Sequence, residues 1–190
     1  DNKVTRAQAE SFRKDALIAL NRAVQVAPND SEALVRRAGY YLEQSMFDNA
    51  LRDCTAAIDS NSGSAAAYNY RGLAYMSLNN PKLALRDFGQ ALRLDEHFGP
   101  AYFNRGTVYN TQMLFDKAIP DFYAAHLTGY QKPAVLANWG KSLLGTGAYE
   151  LAIEKLSEAI ARAPDAAHPY ADRGFAYLRI KHYREAKSDF

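Results

Sequence analysis

The residues of this chain that could support catalysis or metal binding are few and scattered. No second histidine or cysteine lies three or four residues from any of the four histidines, which are His97, His126, His168 and His182. Zinc sites combine several such ligands, so we expect surface or turn roles for these histidines. Cys54 is the single cysteine, and no serine, cysteine or histidine set pairs a nucleophile with a base. These residues predict no enzyme activity, no metal site and no cofactor.

A second set of polar residues recurs at a fixed spacing. Four arginines are each followed by an aspartate sixteen residues later, in the pairs Arg37 and Asp53, Arg71 and Asp87, Arg105 and Asp121, and Arg173 and Asp189. At the corresponding place the chain has Trp139 and Lys155 instead, so both residues change together. The joint change indicates an ion pair that fixes the register of two helices. The alternative is a ladder of arginines that binds a ligand.

These pairs belong to a period of 34 residues, which is most visible in a series of small residues. Ala38, Gly72, Gly106, Gly140 and Gly174 follow one another at this interval. If the period is numbered from Ser31, they occupy position 8. Alanine occupies position 20 in all five periods and position 27 in the four that reach it. A period of this length is typical of proteins that stack one structural unit many times.

Each period contains two amphipathic segments that are separated by turn residues. Positions 4, 8 and 11 share one face of a helix, and positions 20, 24 and 27 share one face of a second helix. Turn-forming stretches separate these segments at 45–48, 78–82 and 144–149. We therefore predict a helix, a tight turn and an antiparallel helix in every period. The glycine at position 8 is expected to face the alanines at 20 and 27, with larger residues at 4, 11 and 24 above and below.

The stretches "AYNYRGLAY" at 67–75, "AYFNRGTVY" at 101–109 and "PYADRGFAY" at 169–177 resemble the signature of the tetratricopeptide repeat family. The resemblance extends from about residue 13 to the end of the chain. It implies an all-α fold, in which antiparallel helix pairs stack into a right-handed α-solenoid with a concave groove. The implied division is an N-terminal helix at 1–30, resembling a second helix, and repeats at 31–64, 65–98, 99–132, 133–166 and 167–190, the last one truncated.

Several local signals refine this expectation. Thr5 and Gln8 form a capping box, which predicts a helix from about Arg6 to Val26. Pro120 lies early in the second helix of the third repeat, where it removes a hydrogen bond if it is beyond the first turn. Gly129 is expected to cap that helix. The chain stops at Phe190 in the middle of a predicted helix, which favours either a piece of a longer protein or a chain whose tail is absent.

Composition narrows the classes of function. The formal net charge is +2, and 48% of the residues are hydrophobic, as in a folded chain without a strong electrostatic field. Nucleic-acid binding, which normally needs a clustered basic surface, is disfavoured. The longest apolar run is 16–20, so membrane insertion is not expected. The compartment stays open: the cytoplasm is favoured, and export to the periplasm after processing is the alternative.

The family resemblance places function in the concave groove, which is lined by the first helix of each repeat. It implies that a partner's peptide or helix binds there through apolar side chains and amides. The groove residues predicted on this basis are Val35, Asn69, Leu73, Met76, Phe103, Asn104, Thr107, Asn138, Lys141 and Phe175. Some of these residues could instead pack against the next repeat.

One subfamily binds the acidic C-termini of chaperones with a two-carboxylate clamp of lysine, asparagine and arginine at set groove positions, and no three successive repeats here supply that set. We therefore predict a non-catalytic scaffold that binds a protein segment. The alternatives are a scaffold that self-associates through its open ends, a docking region of a larger enzyme, and an RNA-binding array, which the near-neutral charge disfavours.

Overall fold

Helices joined by short turns make up the described part of the chain. The computed structural model describes residues 6–190, in which the helices are α1 (Arg6–Val26), α2 (Ser31–Glu43), α3 (Phe47–Ser60), α4 (Ala65–Ser77), α5 (Pro81–Leu94), α6 (Gly99–Thr111), α7 (Phe115–Leu127), α8 (Pro133–Thr146), α9 (Tyr149–Arg162), α10 (Ala167–Arg179) and α11 (Tyr183–Asp189). The predicted long N-terminal helix is confirmed as α1. Thr5 of the predicted capping box lies outside the described residues.

The helices are distributed over two compact units, the first ending at Asp95 and the second extending from Glu96 to Phe190. In the first unit α2 packs on α3 and α4 packs on α5, while α3 also contacts α4. In the second unit the pairs are α6 with α7, α8 with α9, and α10 with α11. The first helices of neighbouring pairs also touch, α2 with α4 in one unit, and α6 with α8 and α8 with α10 in the other. The predicted helix pairs are therefore confirmed.

The small residue at position 8 lets a large side chain lie directly on a helix backbone. A Cβ atom added at Gly72 would come within 2.6 Å of the Phe88 ring, and one at Gly106 within 3.0 Å of the Phe122 ring. The nearest partner is thus the residue at position 24. The predicted approach of the alanine at position 20 is also seen in the fourth repeat, where a Cβ added at Gly140 would lie 3.3 Å from the Ala152 carbonyl. A glycine costs about 1 kcal/mol of helix propensity relative to alanine, and burial of the ring offsets that cost.

In the first repeat, different residues make the contact between positions 8 and 24. Ala38 and Cys54 occupy positions 8 and 24, and both are fully buried in one core cluster. A methyl group on one helix is therefore matched by a small side chain on the other. Burial raises the pKa of the Cys54 thiol to about 12, so the thiol stays protonated at neutral pH and packs as a small apolar group.

The predicted ion pair joins the two helices of a repeat in all four places. Arg105 donates from Nε and Nη2 to the two carboxylate oxygens of Asp121, at 2.8 and 2.7 Å. The same two-pronged geometry recurs in the other three pairs, with donor–acceptor distances between 2.6 and 3.0 Å. The aspartates are almost fully buried, and hydrogen bonding to them raises the pKa of each arginine. These arginines are structural rather than a ladder for a ligand.

Every turn between the two helices of a repeat has the same backbone conformation. Position 15 is left-handed in each one, with φ angles of 59°, 57°, 59°, 84° and 64° at Ser45, Asn79, Met113, Gly147 and Lys181. The next N–H then donates to the carbonyl of position 11, for example from Leu114 to Tyr109 at 2.9 Å. This is the Schellman arrangement that ends a helix and satisfies its last carbonyls.

The end and the interior of α7 show how two predicted breakers act. Gly129 follows the helix with a φ of 83°, and the Tyr130 N–H donates to the Ala125 carbonyl at 3.0 Å. The predicted glycine cap is therefore confirmed. Pro120 lies in the second turn of α7, yet the helix continues to Leu127. One hydrogen bond is lost at Pro120, and packing of the flanking turns keeps the segment helical.

Candidate functional site

The second unit contains a cavity of about 560 Å³, bounded by α8, α10 and the end of α9. We call it the alanine cavity, because small residues form most of its walls. These walls include Ala134, Ala137, Ala163, Ala167, Pro169 and Ala171. Binding sites for small molecules and side chains commonly have volumes in the range of about 300 to 1,000 Å³, so the alanine cavity is large enough to hold part of a ligand.

The sequences of α8 and α10 explain why their alanines line the cavity. Pro133 begins α8, where its missing N–H costs nothing, and α8 then places Ala134 and Ala137 on the side that faces α10. α10 places Ala167 and Ala171 on the facing side. Contact between α8 and α10 brings the two alanine pairs together. Since alanine is a strong helix former, the chain can keep both helices while leaving the space beside them empty.

Four polar side chains surround this space. Asn138 and Lys141 reach it from α8, and His168 and Asp172 reach it from α10. Burial raises the pKa of the Asp172 carboxyl above its usual range, and the positive charges of Lys141 and His168 only partly oppose that shift. The site therefore offers an amide, an exposed ammonium group and a poorly solvated carboxylate around an apolar space. Such a site can bind an apolar group and hydrogen-bond to the polar chain that carries it.

Two of the predicted groove residues, Asn138 and Lys141, line the alanine cavity. Asp172 and His168 were missing from the predicted set, although they occupy positions 6 and 2 of the last repeat. The sequence did contain a signal for them, because alanine occupies position 5 in both the fourth and the fifth repeat. Two small residues at a position that holds Phe103 in the third repeat indicate unfilled space.

The other predicted residues of the second unit are placed differently. Phe103 packs against the rings of Phe122 and Tyr130, with centroids 6.1 and 5.7 Å apart. Asn104 is buried, and the Thr107 hydroxyl donates to the Phe103 carbonyl at 2.8 Å within α6. These three residues support the packing of their own repeat.

Phe175 is the exception among the apolar candidates of the second unit. Its side chain is 54% exposed, and its ring meets Phe190 edge to face at 5.4 Å. It therefore presents an apolar surface on α10.

In the first unit the predicted set divides between the core and the surface. Val35 is buried in a core cluster with Ile58 and Ala67, and Asn69 is 3% exposed. Leu73 and Met76 on α4 are half-buried, so each keeps some surface that a partner could contact. Val35 therefore packs against the next repeat instead of lining the groove, because the contact between α2 and α4 buries its side chain in the core.

The described part of the chain offers no obvious place for a metal ion. Within residues 6–190 no three histidine, cysteine or carboxylate side chains come together as a ligand group. The histidines lie apart, and His126 lies beside the indole of Trp139 with ring centroids 6.2 Å apart. None of the helices in that range is both long and apolar enough to cross a membrane.

Comparison with known proteins places the chain in a class. Residues 65–98, which form α4, α5 and the turn after them, match the family model described as "Tetratricopeptide repeat". In solved structures, the fold resembles that of YrrB, described as a tetratricopeptide repeat protein with an unusual peptide-binding site. That likeness has a TM-score of 0.75, with 20% identity over 90% of this chain and 88% of that one.

Curated relatives share part of their sequence with this chain. A probable peptide N-acetylglucosaminyltransferase, SPINDLY of Hordeum vulgare, is 28% identical over 67% of this chain. Hsc70-interacting protein 1 of Drosophila melanogaster is 35% identical over 47% of it. The chain spans only 14% and 25% of the length of these two relatives.

Helix pairs stacked through their first helices define an α-solenoid repeat protein, and the packing of position 8 under position 24 recurs in every repeat. The match at residues 65–98 and the likeness to solved tetratricopeptide repeat structures are consistent with a tetratricopeptide repeat protein. Proteins of this family generally mediate protein–protein interactions.

Proposed function

We propose that this chain is a non-catalytic binding module that holds a peptide segment of a partner protein along the first helices of its second unit. The observation that carries the proposal is the alanine cavity, with Asn138 and Lys141 at its edge. The segment lies across α8 and α10. One of its apolar side chains enters the cavity, while its backbone runs past the polar residues.

Each polar residue has a role that follows from its chemistry. The Asn138 amide can donate to and accept from a peptide backbone. Lys141 is exposed and can pair with a carboxylate of the segment. Asp172 is the partly buried carboxylate of the site and can accept a backbone N–H, which would lower the cost of its burial. Phe175, also in the second unit, is a further apolar contact for a longer segment.

The relatives support a binding role of this kind. Hsc70-interacting protein is named for a protein partner, and YrrB for a peptide-binding site. The two-carboxylate clamp, however, is not supplied by three successive repeats here. The segment is therefore expected to be recognised by an apolar anchor rather than by a free C-terminus.

The proposal is tested by selecting peptides from a random phage-displayed library against the whole chain. Peptides that bind the unmodified protein are then measured against Lys141→Glu and against Ala134→Phe, which places a ring at the edge of the cavity. The matched controls are Lys82→Glu and Ala161→Phe, because both residues are exposed and lie outside the cavity. Loss of binding by at least about tenfold, equivalent to about 1.4 kcal/mol, is expected in the first two variants alone.

Two results would contradict the proposal. One is that no peptide is selected by a chain whose fold is intact by circular dichroism. The other is that all four variants bind the selected peptides equally, which would place the binding surface elsewhere.

A second function, as the docking region of a larger enzyme, is favoured by the barley relative, a probable glycosyltransferase that this chain matches over a small part of its length. In that case the same groove would deliver a substrate protein to a catalytic domain. Immunoblotting of source cells with an antibody against this chain tests it. A band much larger than the 21.1 kDa of this chain supports it, and a band of that size opposes it.

A further inference from the structure

The third and fourth repeats differ in how they fill the space beside the first helix. In the third repeat, position 5 is Phe103, whose ring lies 5.7 Å from the ring of Tyr130 in the segment after α7. Phe103 also packs on Phe122. This repeat therefore closes the space between its first helix and the end of its second helix with aromatic rings from its own chain.

In the fourth repeat both rings are missing. Ala137 stands 34 residues after Phe103, and Pro164 stands 34 residues after Tyr130. Ala137 and Ala163, the residue that follows α9, both line the alanine cavity. The cavity thus lies where the preceding repeat holds a phenylalanine ring, and the surrounding helices are otherwise built on the same pattern.

We propose that the alanine cavity binds an aromatic side chain of the partner's peptide segment, so that the ring takes the place that Phe103 occupies in the third repeat. This inference rests on the proposed function and names the anchor residue that the segment must carry. An aromatic side chain buries about 150 to 250 Å², which methyl-lined walls can cover without a polar group being left unpaired.

The charged residues at the site fit such an anchor. Lys141 lines the cavity, and an ammonium group is attracted to the face of an aromatic ring. The chain already uses this contact, because the Lys155 ammonium lies 4.9 Å from the centre of the Trp139 ring in the same repeat. An aliphatic anchor would fill part of the same space but would gain nothing from Lys141.

The test uses three small probes with the whole chain: N-acetyl-tryptophanamide, N-acetyl-phenylalaninamide and N-acetyl-leucinamide. Each is titrated into the ¹⁵N-labelled protein while amide resonances are followed. The aromatic probes are expected to shift the resonances of Ala137, Asn138, Lys141 and Asp172, with dissociation constants on the order of 1 mM. The leucine probe is expected to bind about threefold to tenfold more weakly.

Two variants separate occupation of the cavity from a change in fold. Ala137→Phe places in the fourth repeat the residue that the third repeat has, and should abolish the shifts. Ala134→Phe closes the cavity from an exposed position, so it stays informative if Ala137→Phe disturbs the packing of α8. Ala161→Phe, outside the cavity, should leave the titration unchanged.

The proposal is overturned if the leucine probe binds as tightly as the aromatic ones, if the aromatic probes shift no resonance of the cavity, or if Ala134→Phe leaves their binding intact. The phage selection distinguishes this failure from failure of the proposed function. Selected peptides that need Lys141 but share no aromatic residue would retain the binding module and remove the aromatic anchor. Absence of any selected peptide would remove both.

Discussion

The ammonium group of Lys155 lies 4.9 Å from the centre of the Trp139 ring, at the two positions where the other four repeats join an arginine to an aspartate. In the first, second, third and fifth repeats, the first helix contributes the cation and the second helix the carboxylate. In the fourth repeat, the first helix contributes the aromatic ring and the second helix the ammonium group. Both contacts hold the same two helix faces together, one by paired hydrogen bonds and the other by attraction of a cation to a ring.

The fourth repeat should accept the arginine–aspartate pair. Lys155→Asp alone places a carboxylate beside an indole, where the Lys155 side chain is only 19% exposed, and should lower the free energy of unfolding by about 1 to 3 kcal/mol. Trp139→Arg together with Lys155→Asp should recover most of that loss. Urea unfolding of the single and double variants measures it. A double variant no more stable than Lys155→Asp would show that the two positions are not coupled here.

The first repeat should tolerate a large residue only after its small one is removed. Cys54→Phe puts a ring against the Cβ of Ala38, which is fully buried, and should cost about 1 to 3 kcal/mol. Adding Ala38→Gly reproduces the pairing of Gly72 with Phe88 and should restore part of the lost free energy of unfolding. A double-mutant cycle is expected to give a coupling energy of about 0.5 to 3 kcal/mol. Strict additivity of the two changes would refute the packing relationship.

The turn after α6 stores backbone strain that glycine would relieve. Met113 has a φ of 59° and is 75% exposed, so its side chain contributes little that would offset a left-handed conformation. Met113→Gly should raise the free energy of unfolding by about 1 kcal/mol. Gly147→Ala, at the equivalent turn with a φ of 84°, is the reciprocal control and should lower it by a similar amount. Thermal melts of both variants decide the matter.

Asp172 should make the stability of the fold depend on pH. Since burial raises its folded pKa above 3.8, the folded state holds the proton more tightly than the unfolded chain does. Ionised Asp172 therefore costs stability at neutral pH, and this cost declines as the pH falls through the raised pKa. Asp172→Asn should be the more stable protein at pH 7, and the difference should vanish below about pH 3.8. A difference that grows on acidification would contradict this sign.

The helix pairs and the ion pairs could be predicted from the sequence because their causes repeat. A 34-residue period with Gly72, Gly106, Gly140 and Gly174 in phase shows which helix faces meet. The joint replacement of arginine and aspartate in the fourth repeat, by Trp139 and Lys155, indicates that the two positions are in contact. Because the same apolar positions recur in every repeat, the order of the helices and the faces by which they pair followed from the pattern.

The location of the binding surface did not follow in the same way. Phe103 and Asn138 occupy neighbouring groove positions in successive repeats, yet Phe103 packs on Tyr130 while Asn138 borders open space. Position in the repeat assigns a residue to a helix face, but burial depends on the size of side chains that come from other elements. The segment at 128–132 differs in sequence from the equivalent turn at 162–166, so the ring of Tyr130 could not be placed from the pattern.

By itself the sequence determined the repeated helix pair, the place of its turn and the ion pair that joins the two helices, because these features recur from repeat to repeat. Only the tertiary structure decided that the left-handed turn residue is the same in every repeat, that the ring at position 24 covers the small residue at position 8, and that Ala137 and Ala171 leave a cavity. The packing at position 8 and the cavity depend on how closely two helix backbones approach each other. Many packing contacts together set that distance, so no single stretch of the sequence determines it.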